Sequence, residues 1–227
     1  MKYNVNFNID FKRNSYRGLF IALEGIEASG KTTQTTRLGK KIAHDLDIYL
    51  TKNPTNSYVG KFIRKSLLAG KMRMPPIAIQ YLFSADREIQ QEEVVEHLRK
   101  GEVVISDRYF WSSVAYGTAD KRGVDYENDR ELSLTAFSLL SMYNRFILPD
   151  VTIFLEIPIS ESTKRMSKSK KHTEIYDNEE TNIKVEKGYK WLIKKFPKEF
   201  IILDGTKSEE ELEAEIVKII QKKLDLK

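Results

Sequence analysis

Eight consecutive residues, Gly25-Ile26-Glu27-Ala28-Ser29-Gly30-Lys31-Thr32, fit the pattern G-x-x-x-x-G-K-[ST]. An apolar run, Gly18-Leu19-Phe20-Ile21-Ala22-Leu23, precedes them, as a buried strand would, and a helical stretch follows from Thr32. In that setting the pattern has mechanical meaning. The glycines let backbone N–H groups turn inward onto phosphate oxygens. Lys31 is long enough to reach β- and γ-phosphates, and the Thr32 hydroxyl suits Mg²⁺. The helix that follows turns its positive end toward the anion. At average composition the pattern arises by accident in roughly one chain in a hundred of this size. The flanking strand and helix lower those odds, so nucleotide phosphate binding is the reading.

The chain's 227 residues suffice for one sizeable α/β domain. Short apolar, β-branched runs fall at about 18–24, 48–52, 102–106, 151–156 and 200–204. Strands covered on both faces read as such continuous runs. Helical patterns fill the gaps at about 31–45, 58–69, 76–99, 130–145, 159–169, 180–195 and 208–225. This alternation predicts a three-layer, doubly wound sheet of about five parallel strands with helices on both faces, of the P-loop NTPase type. Residues 1–17 read as an N-terminal extension, a loose arm or an added edge strand. Residues 18–227 form a single domain, with a lid segment at about 161–178. Residues 117–129 are polar and read as a loop. Met74-Pro75-Pro76 marks a helix start, Gly101 a helix stop, and Ser208 with Glu211 a capping box.

Composition removes whole classes of chemistry. Without cysteine there are no disulfides, thiolate metal sites or cysteine nucleophiles. His44, His97 and His172 lack metal-ligand spacing and read as ordinary surface or helix residues. No apolar run approaches membrane-spanning length, and residues 1–17 lack an apolar signal core, so a cytoplasmic protein is expected. The net charge of +5 is modest, and the lysines are interspersed with acids rather than gathered into an aromatic-rich stripe, which ranks nucleic-acid binding last.

A second constellation ends the run Val103-Val104-Ile105-Ser106-Asp107-Arg108-Tyr109. In open α/β sheets ligands bind beyond the carboxyl ends of the strands. A carboxylate there can hold Mg²⁺ through water, and the arginine can grip a phosphate bidentately. Neighbouring residues on a strand point to opposite faces, so both reach one ligand only where the strand has turned. On the long helix, Phe83 and Arg87 share a face, a ring beside a guanidinium that would suit a nucleobase with a carbonyl edge. The bland alternative for that pair is a core phenylalanine and a solvated arginine. Ser112, Ser113 and Tyr116 either line one side of a helix at the site or pack there. In the charged stretch 160–180, Lys164, Lys168 and Lys171 share a helical face; it is either a solvated helix end or a lid closing on phosphate.

Together and in this order, these pieces resemble the thymidylate kinases, from about Gly18 to Glu213. The matching segments are Glu24-Gly25-Ile26-Glu27 through Lys31-Thr32-Thr33-Gln34, Leu82-Phe83-Ser84-Ala85-Asp86-Arg87, Asp107-Arg108-Tyr109 with Ser112, Ala115 and Tyr116, and Pro149-Asp150-Val151-Thr152. The resemblance implies transfer of the γ-phosphoryl of ATP to dTMP, with Mg²⁺ and a homodimer packed through helices. Gly25, Glu27, Ala28, Ser29, Gly30, Lys31, Thr32, Thr33 and Arg165 would bind ATP. Glu27 would contact the deoxyribose 3′-hydroxyl or its nearby water. Pro54 would lie against dTMP, Phe83 would stack on thymine, Arg87 would bond a thymine carbonyl and Ser112 would face the base. Arg108 would hold the dTMP phosphate, Thr32 and Asp107 the metal. Tyr116 would fill the space of a ribose 2′-hydroxyl. Lys31, Glu27, Arg108 and Arg165 form the catalytic set. The chain departs from the family at Thr51-Lys52-Asn53-Pro54-Thr55, where Thr-Arg-Glu-Pro-Gly is common, and Gly117 stands where glutamine is frequent. Ala28 and Glu174-Ile175-Tyr176-Asp177 lack the arginines that relatives place in the phosphate loop or the lid. Arg165, Lys168 or Lys171 would then substitute. A kinase for another (deoxy)nucleoside monophosphate, or a weakly catalytic nucleotide-binding protein, stays open as an alternative.

Overall fold

The computed structural model describes residues 8–119, 129–168 and 176–226. Its main sheet has five parallel strands: β2 (Leu19–Glu24), β3 (Ile48–Lys52), β4 (Val103–Asp107), β6 (Val151–Glu156) and β7 (Phe200–Asp204), in the order β3-β4-β2-β6-β7. All five expected strands form, within a residue of the expected bounds. In β2 every residue is buried, and alternate side chains enter two different cores. Phe20 and Ala22 face one layer, while Leu19, Ile21 and Leu23 face the other. Removing each large side chain from water contributes roughly 1.5–3 kcal/mol. That two-sided burial is why the strand carries no polar alternation.

Helices α1 (Lys31–Ile42) and α8 (Glu209–Leu224) cover the second face, with Leu38, Ile42, Leu212, Ile216 and Ile220 in its core. On the first face lie α3 (Pro76–Lys100), α4 (Phe110–Ala119), α5 (Asp129–Ser141) and α7 (Glu179–Lys195). Helix α2 (Tyr58–Phe62) runs on into a π-helical turn, Ile63–Leu68, and α6 (Ile159–Lys168) precedes α7. The helix signals act as read. Pro75 and Pro76 open α3, Gly101 closes it at φ 89°, and Ser208 with Glu211 forms a capping box on α8.

Three expectations are corrected. Of the expected extension, the described residues 8–17 add no edge to the main sheet; β1 (Lys12–Arg13) pairs parallel with β5 (Ile147–Leu148) in a separate two-stranded sheet. Phe11 stacks on Phe110 at 5.6 Å, and Arg13 is bonded to Glu199 at 2.7 Å. The expected loop at 117–129 is helical over its first three described residues, because α4 continues to Ala119. There Gly117 serves close packing, since a Cβ would sit 2.6 Å from Leu139 Cδ1. Helix α5 stops at Ser141, short of the expected 145. His97 is a helix residue, as expected, in the last turn of α3, where it stacks on Tyr49 with centroids 3.6 Å apart and bonds Glu102 at 2.5 Å.

Candidate functional site

The carboxyl ends of β2, β3, β4 and β7 open into one cavity of about 1060 Å³. Its floor is the loop 25–30, which leaves β2 and turns at once into α1. Gly25 (φ 150°) and Gly30 (φ 101°) adopt backbone conformations that favour glycine. At Gly25 a Cβ would lie 2.6 Å from Ser29 Oγ and 2.8 Å from the Leu155 carbonyl. Lys31 folds over this loop, its Nζ donating to Ile26 O at 2.6 Å and Ser29 Oγ at 3.1 Å. Burial, and then the charge of Arg108, lower its pKa to about 8. The Thr32 hydroxyl donates to Asp107 Oδ2 at 2.5 Å. A hydroxyl and a carboxylate are hard oxygen ligands of the kind Mg²⁺ takes alongside phosphate and water.

Arg108 resolves the geometric problem posed by its sequence position. Its φ of 71° breaks the strand alternation, so Asp107 and Arg108 both line the cavity. The guanidinium donates to Glu27 Oε1 at 2.5 Å, to Gly25 O and Tyr116 Oη at 3.1 Å, and to Ser112 Oγ at 3.3 Å. Tyr116 donates to the same Glu27 oxygen at 2.7 Å. Burial works against the Arg108 charge, but Glu27 keeps its pKa well above the usual arginine range. Burial likewise raises the Tyr116 phenol far above its ordinary value.

The opposite wall carries Phe83 and Arg87. Arg87 is buried, contrary to the solvated alternative; it lies 5.6 Å from the centroid of Phe83 and donates to Ser113 Oγ at 2.6 Å. Pro54 and Ser112 also line the cavity. The Ser112 hydroxyl, however, is committed to Glu24 Oε2 at 2.6 Å rather than left open to a ligand. At the far end, α6 turns Arg165 inward, donating to Ala28 O at 3.4 Å and Gly205 O at 3.0 Å. Thr33 lines the cavity too. Lys164 and Lys168 are exposed and do not line it, so of the lysine face expected to close on phosphate the described part looks away. Lys171 and Glu174 lie outside the described residues.

Several supporting residues escaped the sequence reading. Glu24 is fully buried and accepts from Tyr109 N (2.8 Å), Ser112 N (3.3 Å), Ser112 Oγ (2.6 Å) and Tyr189 Oη (2.7 Å). Burial raises its pKa above the usual carboxylate value against these donors. Asn182 accepts from Glu27 N at 3.3 Å, and Ser162 Oγ donates to Glu27 O at 2.8 Å, pinning the phosphate loop from α6 and α7. Asp86, fully buried, accepts from Thr55 N (2.7 Å), Thr55 Oγ1 (2.5 Å) and Ser57 Oγ (2.9 Å). Only for Glu24 was there a local signal, an acid ending an otherwise apolar run; the partners of Asp86 and Asn182 are nonlocal. Asp86→Ala strands three donors and is expected to lower stability by about 3 kcal/mol, read by thermal unfolding; an unchanged melting temperature would remove Asp86 as a clamp.

A parallel sheet in this order, with a phosphate loop leaving its central strand and one cavity reaching from that loop to an aromatic–arginine wall, defines a P-loop protein of the nucleotide-kinase class. A family model for thymidylate kinase matches residues 23–216. The probable thymidylate kinase of Thermococcus onnurineus is 36% identical over 218 residues, covering 91% of this chain and 98% of that protein. That of Methanocaldococcus jannaschii is 37% identical over 201 residues, covering 88% and 94%. The structure of thymidylate kinase from Candida albicans matches with a TM-score of 0.77 at 28% identity, over 93% of this chain and 95% of that one. The chain belongs to the thymidylate kinase family.

Proposed function

We propose that this protein transfers the γ-phosphoryl of ATP to dTMP, giving dTDP and ADP. The observation that carries this reading is the Glu27–Arg108–Tyr116 cluster between the phosphate loop and the Phe83–Arg87 wall. It provides a second cationic group within the same cavity as the first, as an acceptor that is itself a phosphate requires. In this reading the loop N–H groups and Lys31 hold the donor phosphates, and Arg165 lies on the donor side. Arg108 holds the acceptor phosphate, and Phe83 and Arg87 hold the base. Glu27 fixes Arg108 and reaches the deoxyribose, while Tyr116 closes the space a 2′-hydroxyl would need. Thr32 and Asp107 would hold Mg²⁺, which would supply charge neutralisation to the phosphates. Phosphoryl transfer asks little covalent chemistry of a protein; these side chains align the two phosphates in line and spread the developing charge.

A panel of acceptors with coupled ADP detection tests the reading. The expected order places dTMP first, above dUMP, other deoxynucleoside monophosphates and thymidine. ATP binding without dTMP-dependent turnover would overturn it in favour of a weakly catalytic nucleotide binder. Exposed Ile77 and Tyr81 share a face of α3, which supports a homodimer packed through helices. No described helix is long and apolar enough to cross a membrane. A cytoplasmic setting, where ATP is at hand, goes with the proposed reaction.

The depressed pKa of Lys31 adds a pH dependence. Below about pH 8 the free protein already carries the charge that phosphates need; above it, the ammonium must first regain a proton. Bound phosphates raise this pKa, so ATP affinity is expected to be level below pH 8 and to fall about tenfold per unit above it. Calorimetry from pH 7 to 9.5 in buffers of different ionisation enthalpy reads both the fall and the proton uptake. A flat profile would refute the assignment.

A further inference from the structure

Glu24 ends β2 with its side chain in the same layer as Phe20 and Ala22, against α4 and α7. It is fully buried and does not line the cavity. Its Oε1 accepts from Tyr109 N and Ser112 N, and its Oε2 from Ser112 Oγ and Tyr189 Oη. An ionised carboxylate offers about four acceptor positions, so these donors satisfy it. Helix α4 begins at Phe110, and the first N–H groups of a helix have no intrahelical partner. Tyr109, the residue before it, has no short side-chain oxygen to cap them. The carboxylate of a neighbouring strand caps the helix instead.

The same contacts flank a strained turn. At φ 71°, Arg108 holds a left-handed conformation that is costly for a residue with a Cβ and persists only where its surroundings over-determine it. Arg108 N donates to Leu23 O at 2.9 Å and Tyr109 N to Glu24 Oε1 at 2.8 Å, so two successive residues of β2 hold the N–H groups on either side of the Arg108 Cα. Ser112 Oγ donates to Glu24 Oε2 at 2.6 Å and accepts from Arg108 Nη1 at 3.3 Å. Glu24 therefore reaches Arg108 through both its backbone and its guanidinium. Resting on the thymidylate kinase reading, we propose that Glu24 is a positioning residue for the acceptor phosphate: by capping α4 and aligning Ser112, it keeps Arg108 turned into the cavity. Its reach is confined to one end of the site. Lys31 and Thr32 stand on α1, which packs against the opposite face of the sheet.

The test measures binding of dTMP, thymidine and ATP to the whole protein, wild type against Glu24→Gln and Glu24→Ala, alone and in an Arg108→Ala background, with melting temperatures recorded alongside. Glu24→Gln keeps the shape without the charge and is expected to weaken dTMP about tenfold. Glu24→Ala leaves the helix N–H groups uncapped and should weaken it about thirtyfold. Thymidine, which brings no phosphate to Arg108, and ATP are expected to stay within about threefold of wild type in both. With Arg108→Ala present, either substitution should cost dTMP less than about threefold more, because residues that act through one contact are not additive. Losses that add in full, or that fall equally on dTMP and thymidine, would overturn the inference, as would wild-type dTMP affinity in both variants. Should Glu24→Ala fail to fold, the glutamine variant decides by the same comparison. Absence of dTMP binding to the wild type would overturn the underlying reading; dTMP binding that is indifferent to both substitutions overturns this inference alone.

Discussion

Lys31→Ala is expected to lower turnover by about two to three orders of magnitude, as loss of a preorganised charge contact does. The ammonium is held within the phosphate loop by Ile26 O and Ser29 Oγ, so it needs no search for position when a nucleotide arrives. Those partners are a carbonyl and a hydroxyl, not carboxylates, and burial lowers the pKa of Lys31 to about 8. The group is therefore a strained cation in the free protein. Since the folded value lies below the usual 10.5, the free protein gains stability as pH rises from about 8 toward 10.5, by at most about 1.4 kcal/mol per unit. The alanine variant should consequently melt no lower than wild type while losing its rate, a separation of stability from function expected of active-site charges. Lys31→Arg should not rescue, because a planar fork does not fit a turn shaped for a point charge. Turnover near wild type in the alanine variant would remove Lys31 from the mechanism.

The two features that make the site were visible in the sequence to different depths. The phosphate loop was fully legible because its glycines answer a local need, a backbone turn that only a few residues separate from the helix. Asp107-Arg108 posed a question rather than an answer: both side chains reach one ligand only if the strand turns between them. The φ of 71° at Arg108 supplies that turn, and nothing in the local sequence demands it. The strands could be read because two-faced burial leaves an unbroken apolar run, as in Leu19–Glu24. Strand β1 is an exposed Lys-Arg pair with no such pattern, and β5, apolar and buried, is too short at two residues to stand out.

Residues whose role depends on distant partners stayed hidden. Asp86 sits beside Arg87 in a helix of mixed polarity, and only the fold brings Thr55 and Ser57 onto it. The helical period grouped Lys164 with Lys168 correctly, yet it could not say which face turns inward. Ser162 and Arg165 decide that, through the Glu27, Ala28 and Gly205 carbonyls. Gly117 was read as the start of a loop, whereas it belongs to a helix crossing close to Leu139. A glycine marks a tight place, and the sequence does not distinguish a turn from a contact.

Arg108→Ala is expected to weaken dTMP about a hundredfold or more while leaving ATP affinity within a few-fold. A charge-assisted hydrogen bond contributes about 1.5–3 kcal/mol, and a guanidinium facing a phosphate forms two. The substitution also removes the counter-charge from Glu27, whose side chain is 26% exposed and whose Oε1 still accepts from Tyr116. Without the Arg108 charge beside it, the carboxylate would then repel the incoming phosphate, so part of the loss belongs to Glu27 rather than to the missing grip. The double variant Arg108→Ala with Glu27→Gln separates the two: the affinity it regains over the single variant measures repulsion, and the deficit that persists measures the contact itself. Arg108→Lys should fall between, since one ammonium cannot serve Gly25 O, Ser112 Oγ, Tyr116 Oη, Glu27 and a phosphate at once. Equal losses for ATP and dTMP would show Arg108 holding the cavity's shape rather than the acceptor, and the division into two phosphate-binding ends would have to be abandoned.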